Sequence, residues 1–256
     1  MKRRSVAARF TRVLIGGLAA WPGTPALGAS GGLVLHPSGF GPMSYSAWKA
    51  QQGEPDSSGN SSQALYFQKM TSTTTNAAGV AVIKGLEGMP ASELTGLAWD
   101  HREDGHCGAG APRWDVFVQD AAGRSYTVFL GCNAAQHTQL PDETSGYGWC
   151  HDTFDPQTAI SAQTAGATGP LTISGLAIVF DEGNDIPNPP PAMCGQDQFQ
   201  GGFVYLDNIT VTADGVTHVW QDASDNGNGQ TDVADPTGTN YVQGLLGLPV
   251  SVLNVQ

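Results

Sequence analysis

Pro112-Arg113-Trp114-Asp115-Val116-Phe117-Val118-Gln119-Asp120 and Arg124-Ser125-Tyr126-Thr127-Val128-Phe129-Leu130-Gly131 are two alternating runs joined by Ala121-Ala122-Gly123, a turn with glycine available for a left-handed position. If Asp120 faces Arg124, the register places Trp114 opposite Leu130, Val116 opposite Val128 and Val118 opposite Tyr126, all on one face. That face is the expected core. Arg113, Asp115 and Thr127 fall on the other face together with Phe117 and Phe129, so partial cover is expected there too. The same register sets Cys132 beside Pro112, within reach of the short coil His106-Cys107-Gly108-Ala109-Gly110-Ala111. Of the three connectivities that four cysteines allow, it favours Cys107 with Cys132 and Cys150 with Cys194. No two cysteines have the two-residue spacing of a zinc site, and disulfides are the expected use.

The chain opens with Lys2, Arg3, Arg4, Arg9 and Arg12, then the apolar run Val13 to Trp21 and the small residues Ala26-Leu27-Gly28-Ala29. Residues 1–29 read as a signal peptide, either general or twin-arginine in type, and no later stretch is long and apolar enough to span a membrane. Removal of that leader would take the formal charge from −12 to about −17. Such a surface argues against a nucleic-acid partner, because phosphate contacts depend on clustered Lys and Arg. A secreted protein in the extracellular, periplasmic or cell-wall space is expected, where cysteines are oxidised.

Working outward from the hairpin, Gly32 to His36, Ala64-Leu65-Tyr66-Phe67-Gln68, Gly79 to Lys84, Leu94 to Asp100 and Leu171 to Phe180 read as strands. Pro37 to Ser62 reads as loop, His101 to Gly105 as a charged rim loop, and Cys132 to Gly169 mostly as connection. Phe203 to Val211 and Val216 to Trp220 form a second hairpin across Ala213-Asp214-Gly215. Roughly ten short strands, little helix-forming composition and frequent turn signals predict an all-β, two-sheet antiparallel β-sandwich with two disulfides, most simply a jelly roll; an up-and-down barrel is the alternative. The domain is expected over residues 30–220, followed by an Asp/Asn/Gly-rich linker or calcium loop at 221–240 and a tail or last strand at 241–256.

Gly202-Phe203-Val204-Tyr205-Leu206-Asp207-Asn208-Ile209-Thr210-Val211 resembles the closing strand of galactose-binding-like jelly rolls, a superfamily with many carbohydrate-binding modules of exported bacterial proteins. The strand beginning at Leu171 is similar to their penultimate strand. The resemblance implies a jelly roll, a carbohydrate partner and a structural calcium, for which Asp207 is a candidate ligand; a hydrogen-bonded strand residue is the alternative role. Asp181, just past the penultimate strand, and Asp225, in a loop with oxygen side chains at alternate positions, are further candidate calcium ligands.

For a glycan the useful group is an exposed aromatic plane beside hydrogen-bonding side chains. Trp149 and Tyr147, in a glycine-bracketed loop with His151 and Asp152, are the expected platform, and His101 and Glu103 of the rim loop are further candidate ligand-binding residues. Trp99, Trp114 and Trp220 lie on strands and are expected in the core. A noncatalytic module binding an extracellular polysaccharide or glycan is the reading these features favour. A polysaccharide-active enzyme remains the rival: Glu103, Glu143, Asp181 and Glu182 could supply a carboxyl pair, and His101, His106, His137 and His151 a metal site. A structural or adhesion role is the third. Serine hydrolysis is disfavoured, because the lone Gly-x-Ser-x-Gly string, Gly28 to Gly32, straddles the expected cleavage point.

Overall fold

The computed structural model describes residues 32–55, 61–141, 148–185, 194 and 201–226. The expected leader, Glu143, Tyr147, residues 227–240 and the tail at 241–256 lie outside the described residues. The strands are β1 (Val34–Phe40), β2 (Ser44–Pro55), β3 (Ser61–Lys69), β4 (Ala78–Lys84), β5 (Leu94–Arg102), β6 (Arg113–Gln119), β7 (Ser125–Gly131), β8 (Gln136–Gln139), β9 (Trp149–Phe154), β10 (Thr172–Phe180), β11 (Phe203–Ala213) and β12 (Val216–Trp220), with a short helix, α1 (Pro156–Gln163).

These strands form two sheets. Sheet A has the order β1-β4-β10-β6-β7, and sheet B the order β2-β3-β11-β5-β9-β8 with β12 paired to β11. Every strand pairing among the described residues is antiparallel. Within this framework β3-β11-β5-β9 faces β4-β10-β6-β7, the interleaving of two Greek keys that defines a jelly roll. β1 and β2 extend one side of the two sheets, and β8 extends sheet B on the other.

The opening hairpin has the expected register, with Trp114 opposite Leu130, Val116 opposite Val128 and Val118 opposite Tyr126. Its inner face joins the main core, where Trp99 of β5 stacks on Trp114 at a centroid separation of 5.2 Å and Phe154 of β9 meets Trp99 edge-on at 4.7 Å. Both disulfides have the expected connectivity, Cys107–Cys132 and Cys150–Cys194. The face of sheet A turned away from sheet B carries a second apolar cluster of Ala78, Val80, Val82, Phe117, Ala177 and Val179. Arg113 and Asp115 are buried beside it, so cover on that face is fuller than the alternation implied.

Several elements differ from the sequence reading. β2 occupies much of the segment read as loop; its pairing with β3 is interrupted between Ala50 and Pro55 by a wide bulge that carries Gln52 and Glu54 over sheet B. β8, β9 and α1 lie within the segment read as connection. α1 is started by Asp155, whose side chain accepts from the Thr158 amide, and by Pro156 in the first turn, and it buries Ile160. His101 belongs to β5 rather than to a rim loop, and its side chain is buried.

Candidate functional site

Among the described residues, a cleft of about 1030 Å3 opens over the outer side of sheet A. β6 supplies Arg113, β7 Phe129 and β1 Phe40, while the β3–β4 connection contributes Thr73 to Ala77. Ala109 and Gly110, from the coil after Cys107, and Asp181 and Glu182, just past β10, complete the lining with Lys69. Alternation along each strand accounts for this set: Asp115 pairs with Phe129 and with Ala177, and Arg113 pairs with Val179, so all share the outward side.

The charged side chains among the described lining residues are already hydrogen-bonded within the protein. The Arg113 guanidinium donates both terminal nitrogens to Asp181, at 2.6 and 2.8 Å, and its Nε to Asp115 at 2.8 Å. Lys69 is buried and donates from Nζ to the carbonyls of Thr73, Thr75 and Asp181 at 2.8, 2.8 and 2.5 Å, while burial pushes its pKa below the ordinary lysine value. His106 and Glu182 are hydrogen-bonded to each other. Asp115 is fully buried with Oδ2 unpartnered, and burial pushes its carboxyl up to about 7 despite Arg113. Among the described residues, those left to meet a ligand are the exposed Thr74 and Asn76 and the half-buried rings of Phe40 and Phe129.

Sheet B carries a different set on its outer side. Tyr66 lies between Ala47 and Tyr205, and the next residues in that row are Arg102 and Trp149. Tyr66 and Tyr205 have centroids 4.7 Å apart, and the Arg102 guanidinium lies 3.7 Å from the Tyr205 centroid. Beside this row Asp207 accepts from the Glu54 and Asn208 amides, and the Asn208 side chain donates to Glu54 and Asp100. Burial pushes both Asp207 and Glu54 up to about 7. His151 Nδ1 is hydrogen-bonded to Asp100 at 2.5 Å.

Between the sheets lies a third polar group. The fully buried Asp152 is met through Oδ2 by Trp99 Nε1 at 2.7 Å and His101 Nδ1 at 2.6 Å, and through Oδ1 by His137 Nδ1 at 2.7 Å. Cys132 Sγ and Cys150 Sγ each lie 3.4 Å from one of its oxygens.

The structure therefore divides the residues expected to form one site. Trp149 is buried at 3% exposure and cannot serve as an open stacking plane. It reads as a loop residue in the sequence, yet it begins β9 and packs in the Arg102 row. Asp152 and His101 face the core, where their polar atoms satisfy one another. His151 and Glu103 are on the sheet B side; Glu103 accepts from Gln139 and its amide donates to the Gly148 carbonyl. The candidate calcium ligands are not brought together: Asp207 is in sheet B, Asp181 is ion-paired to Arg113 on the sheet A side, and Asp225 accepts from the amides of Gln221 and Asp222 in its own turn. Sequence reading does not single out Phe40, Thr74, Asn76 or Phe129 as ligand-binding. Phe129 alone carries a signal there, as an aromatic on the polar side of an alternating strand.

No protein-family model matches the chain, and no curated protein matches it. Among solved structures it is similar to two crystal structures of a family 30 carbohydrate binding module. The first has a TM-score of 0.38 and 11% identity, covering 72% of this chain and 85% of that one. The second has a TM-score of 0.36 and 12% identity, covering 71% and 98%.

Proposed function

We propose that this protein is a secreted, noncatalytic glycan-binding module, and that it holds a neutral glycan in the cleft over sheet A. The observation that carries the reading is that the charged side chains lining that cleft, among the described residues, are all hydrogen-bonded within the protein. A phosphate or carboxylate ligand would have to displace Asp181 from Arg113 or the three carbonyls from Lys69, at the full cost of breaking a desolvated pair. A neutral polyhydroxylated ligand needs no such displacement. Its C–H faces can lie on Phe40 and Phe129, and its hydroxyls can exchange bonds with Thr74 and Asn76. The volume suits a few sugar rings rather than a crystalline surface.

The test is retention on a panel of insoluble neutral polysaccharides and a glycan array. Wild-type protein is expected to be retained on at least one neutral glycan, and Phe129→Ala to lose about tenfold or more in affinity, a change of about 1.4 kcal/mol, with an unchanged melting temperature. Absence of retention across the panel, or full retention by the variant, overturns the reading. The structural calcium suggested by the resemblance would draw on Asp207 with its neighbours Glu54 and Asp100. Running the same panel with chelator shows whether it contributes.

A further inference from the structure

Cys107, Cys132, His101 and Asp152 occupy one buried volume, where a disulfide and a histidine–carboxylate pair lie side by side. A ring nitrogen of His101, an oxygen of Asp152 and the sulfurs of Cys107 and Cys132 all lie within 4.8 Å of one another, and all four residues are buried. Zinc bound at about 2.0–2.3 Å to nitrogen, oxygen and sulfur gives a tetrahedron with edges of about 3.3–3.8 Å. The Cys132 sulfur is already 3.4 Å from Asp152 Oδ2. Two edges must lengthen: the disulfide opens to a thiolate–thiolate edge, and the 2.6 Å hydrogen bond between His101 Nδ1 and Asp152 Oδ2 gives way where both atoms ligate the metal.

We propose that the dithiol form of this protein binds Zn2+ through Cys107, Cys132, His101 and Asp152, so that metal and disulfide are alternative occupants of one position in the core. Two thiolates, one imidazole and one carboxylate form a donor set suited to zinc rather than to calcium or magnesium. The surroundings are those of a ligand held in place: His137 fixes Asp152 through Oδ1, leaving Oδ2 turned to the cluster, where Trp99 Nε1 orients it. The dithiol precedes the disulfide in the history of the chain, since cysteines are incorporated reduced. Zinc binding releases two thiol protons. Subsequent oxidation by an external disulfide forms the Cys107–Cys132 bond, reduces that disulfide to two thiols with uptake of two protons, and expels Zn2+. Metal would thus hold β5, β6 and the Cys107 coil together before the covalent bond does. The second group, His137 with Cys150 and Cys194, offers three ligand atoms and has Cys194 partly exposed. It is the weaker pair of sulfurs for a closed structural site.

The full chain, reduced in denaturant with a phosphine that leaves as its oxide, is refolded under the same reductant with or without Zn2+. The expected result is one zinc per chain after gel filtration, and with Co2+ in its place the visible bands of tetrahedral cobalt plus thiolate-to-cobalt charge transfer. Cys107→Ser with Cys132→Ser should lose the metal, whereas Cys150→Ser with Cys194→Ser should keep it. Should the first variant not refold, maleimide labelling of the reduced wild-type chain read by mass spectrometry replaces it: zinc should protect Cys107 and Cys132 at least tenfold over Cys150 and Cys194. Refolded reduced protein without metal, cobalt–thiolate bands surviving in the first variant, or equal labelling of the two pairs would overturn the proposal. None of these readouts depends on glycan binding.

Discussion

Asp152 shows how one buried carboxylate organises its neighbours. It has no exposed surface, and three nitrogens converge on it from β5 and β8: Trp99 Nε1, His101 Nδ1 and His137 Nδ1. Removing the acceptor leaves those groups to find partners in a site closed to bulk solvent, and each unsatisfied buried donor costs about 1–3 kcal/mol. Asp152→Ala is therefore expected to lower unfolding free energy by about 3 kcal/mol or more, measured in urea, with loss of the near-ultraviolet circular dichroism of Trp99 and Trp114. Asp152→Asn, which keeps one acceptor oxygen, should recover part of it. A loss below about 1 kcal/mol for the alanine variant, close to the range of an ordinary surface change, would show that the network is not structural. None of this is legible from sequence. In the string Trp149-Cys150-His151-Asp152, the tryptophan looks like the group to display and the aspartate like the group to solvate. The strand does the opposite, because the partners that make Asp152 tolerable inside come from distant β5 and β8.

The hairpin of β6 and β7 is legible because its information is local: register, turn and cysteine placement all follow from adjacent residues. Its turn is held by Asp120, whose carboxylate accepts from the amides of Ala122, Arg124 and Thr168 and from Arg124 Nε. Those bonds, the Thr168 amide first, hold its pKa well below the ordinary carboxylate range. Because the folded value is depressed, the stabilisation is present above the unfolded pKa and is lost as pH falls through the folded value. Asp120→Ala is expected to lower the melting temperature at neutral pH and to speed amide exchange at Ala122, Arg124 and Thr168. The difference from wild type should shrink below about pH 3, beneath the unfolded carboxylate range. Unchanged exchange at those amides would exclude the role. β2 and α1 are not legible for the converse reason. The second half of β2 is broken by its bulge and carries Lys49, Gln51, Gln52 and Glu54 rather than an apolar alternation. An eight-residue helix such as α1 is too short to be stable without the packing of Ile160 and its Asp155 cap.

At the scale of the molecule, the jelly-roll order follows from strands whose alternation is readable one at a time, but the clefts do not, since they depend on which loops the topology brings over each sheet. The β3–β4 connection and the residues after β10 meet over Arg113 only because β4, β10 and β6 are neighbours in sheet A. That arrangement buries Asp115, and the result is a global dependence of stability on pH. Burial pushes Asp115 up to about 7, against an unfolded value near 4. Between those values the folded chain keeps a proton that the unfolded chain has released, so folding stability falls as pH rises through the window. Glu54 and Asp207 on sheet B, also pushed up to about 7 by burial, act in the same direction. Wild-type protein should accordingly become less stable from about pH 4 to about pH 7, each such group contributing at most about 1.4 kcal/mol per pH unit. Asp115→Asn keeps an acceptor for Arg113 Nε and cannot ionise. Its stability, followed by urea unfolding across the same range, should fall less steeply than wild type by one proton's share, with the two curves converging at the acidic end. Parallel curves would mean that Asp115 is already ionised in the folded protein and that Arg113 outweighs the loss of solvent around it.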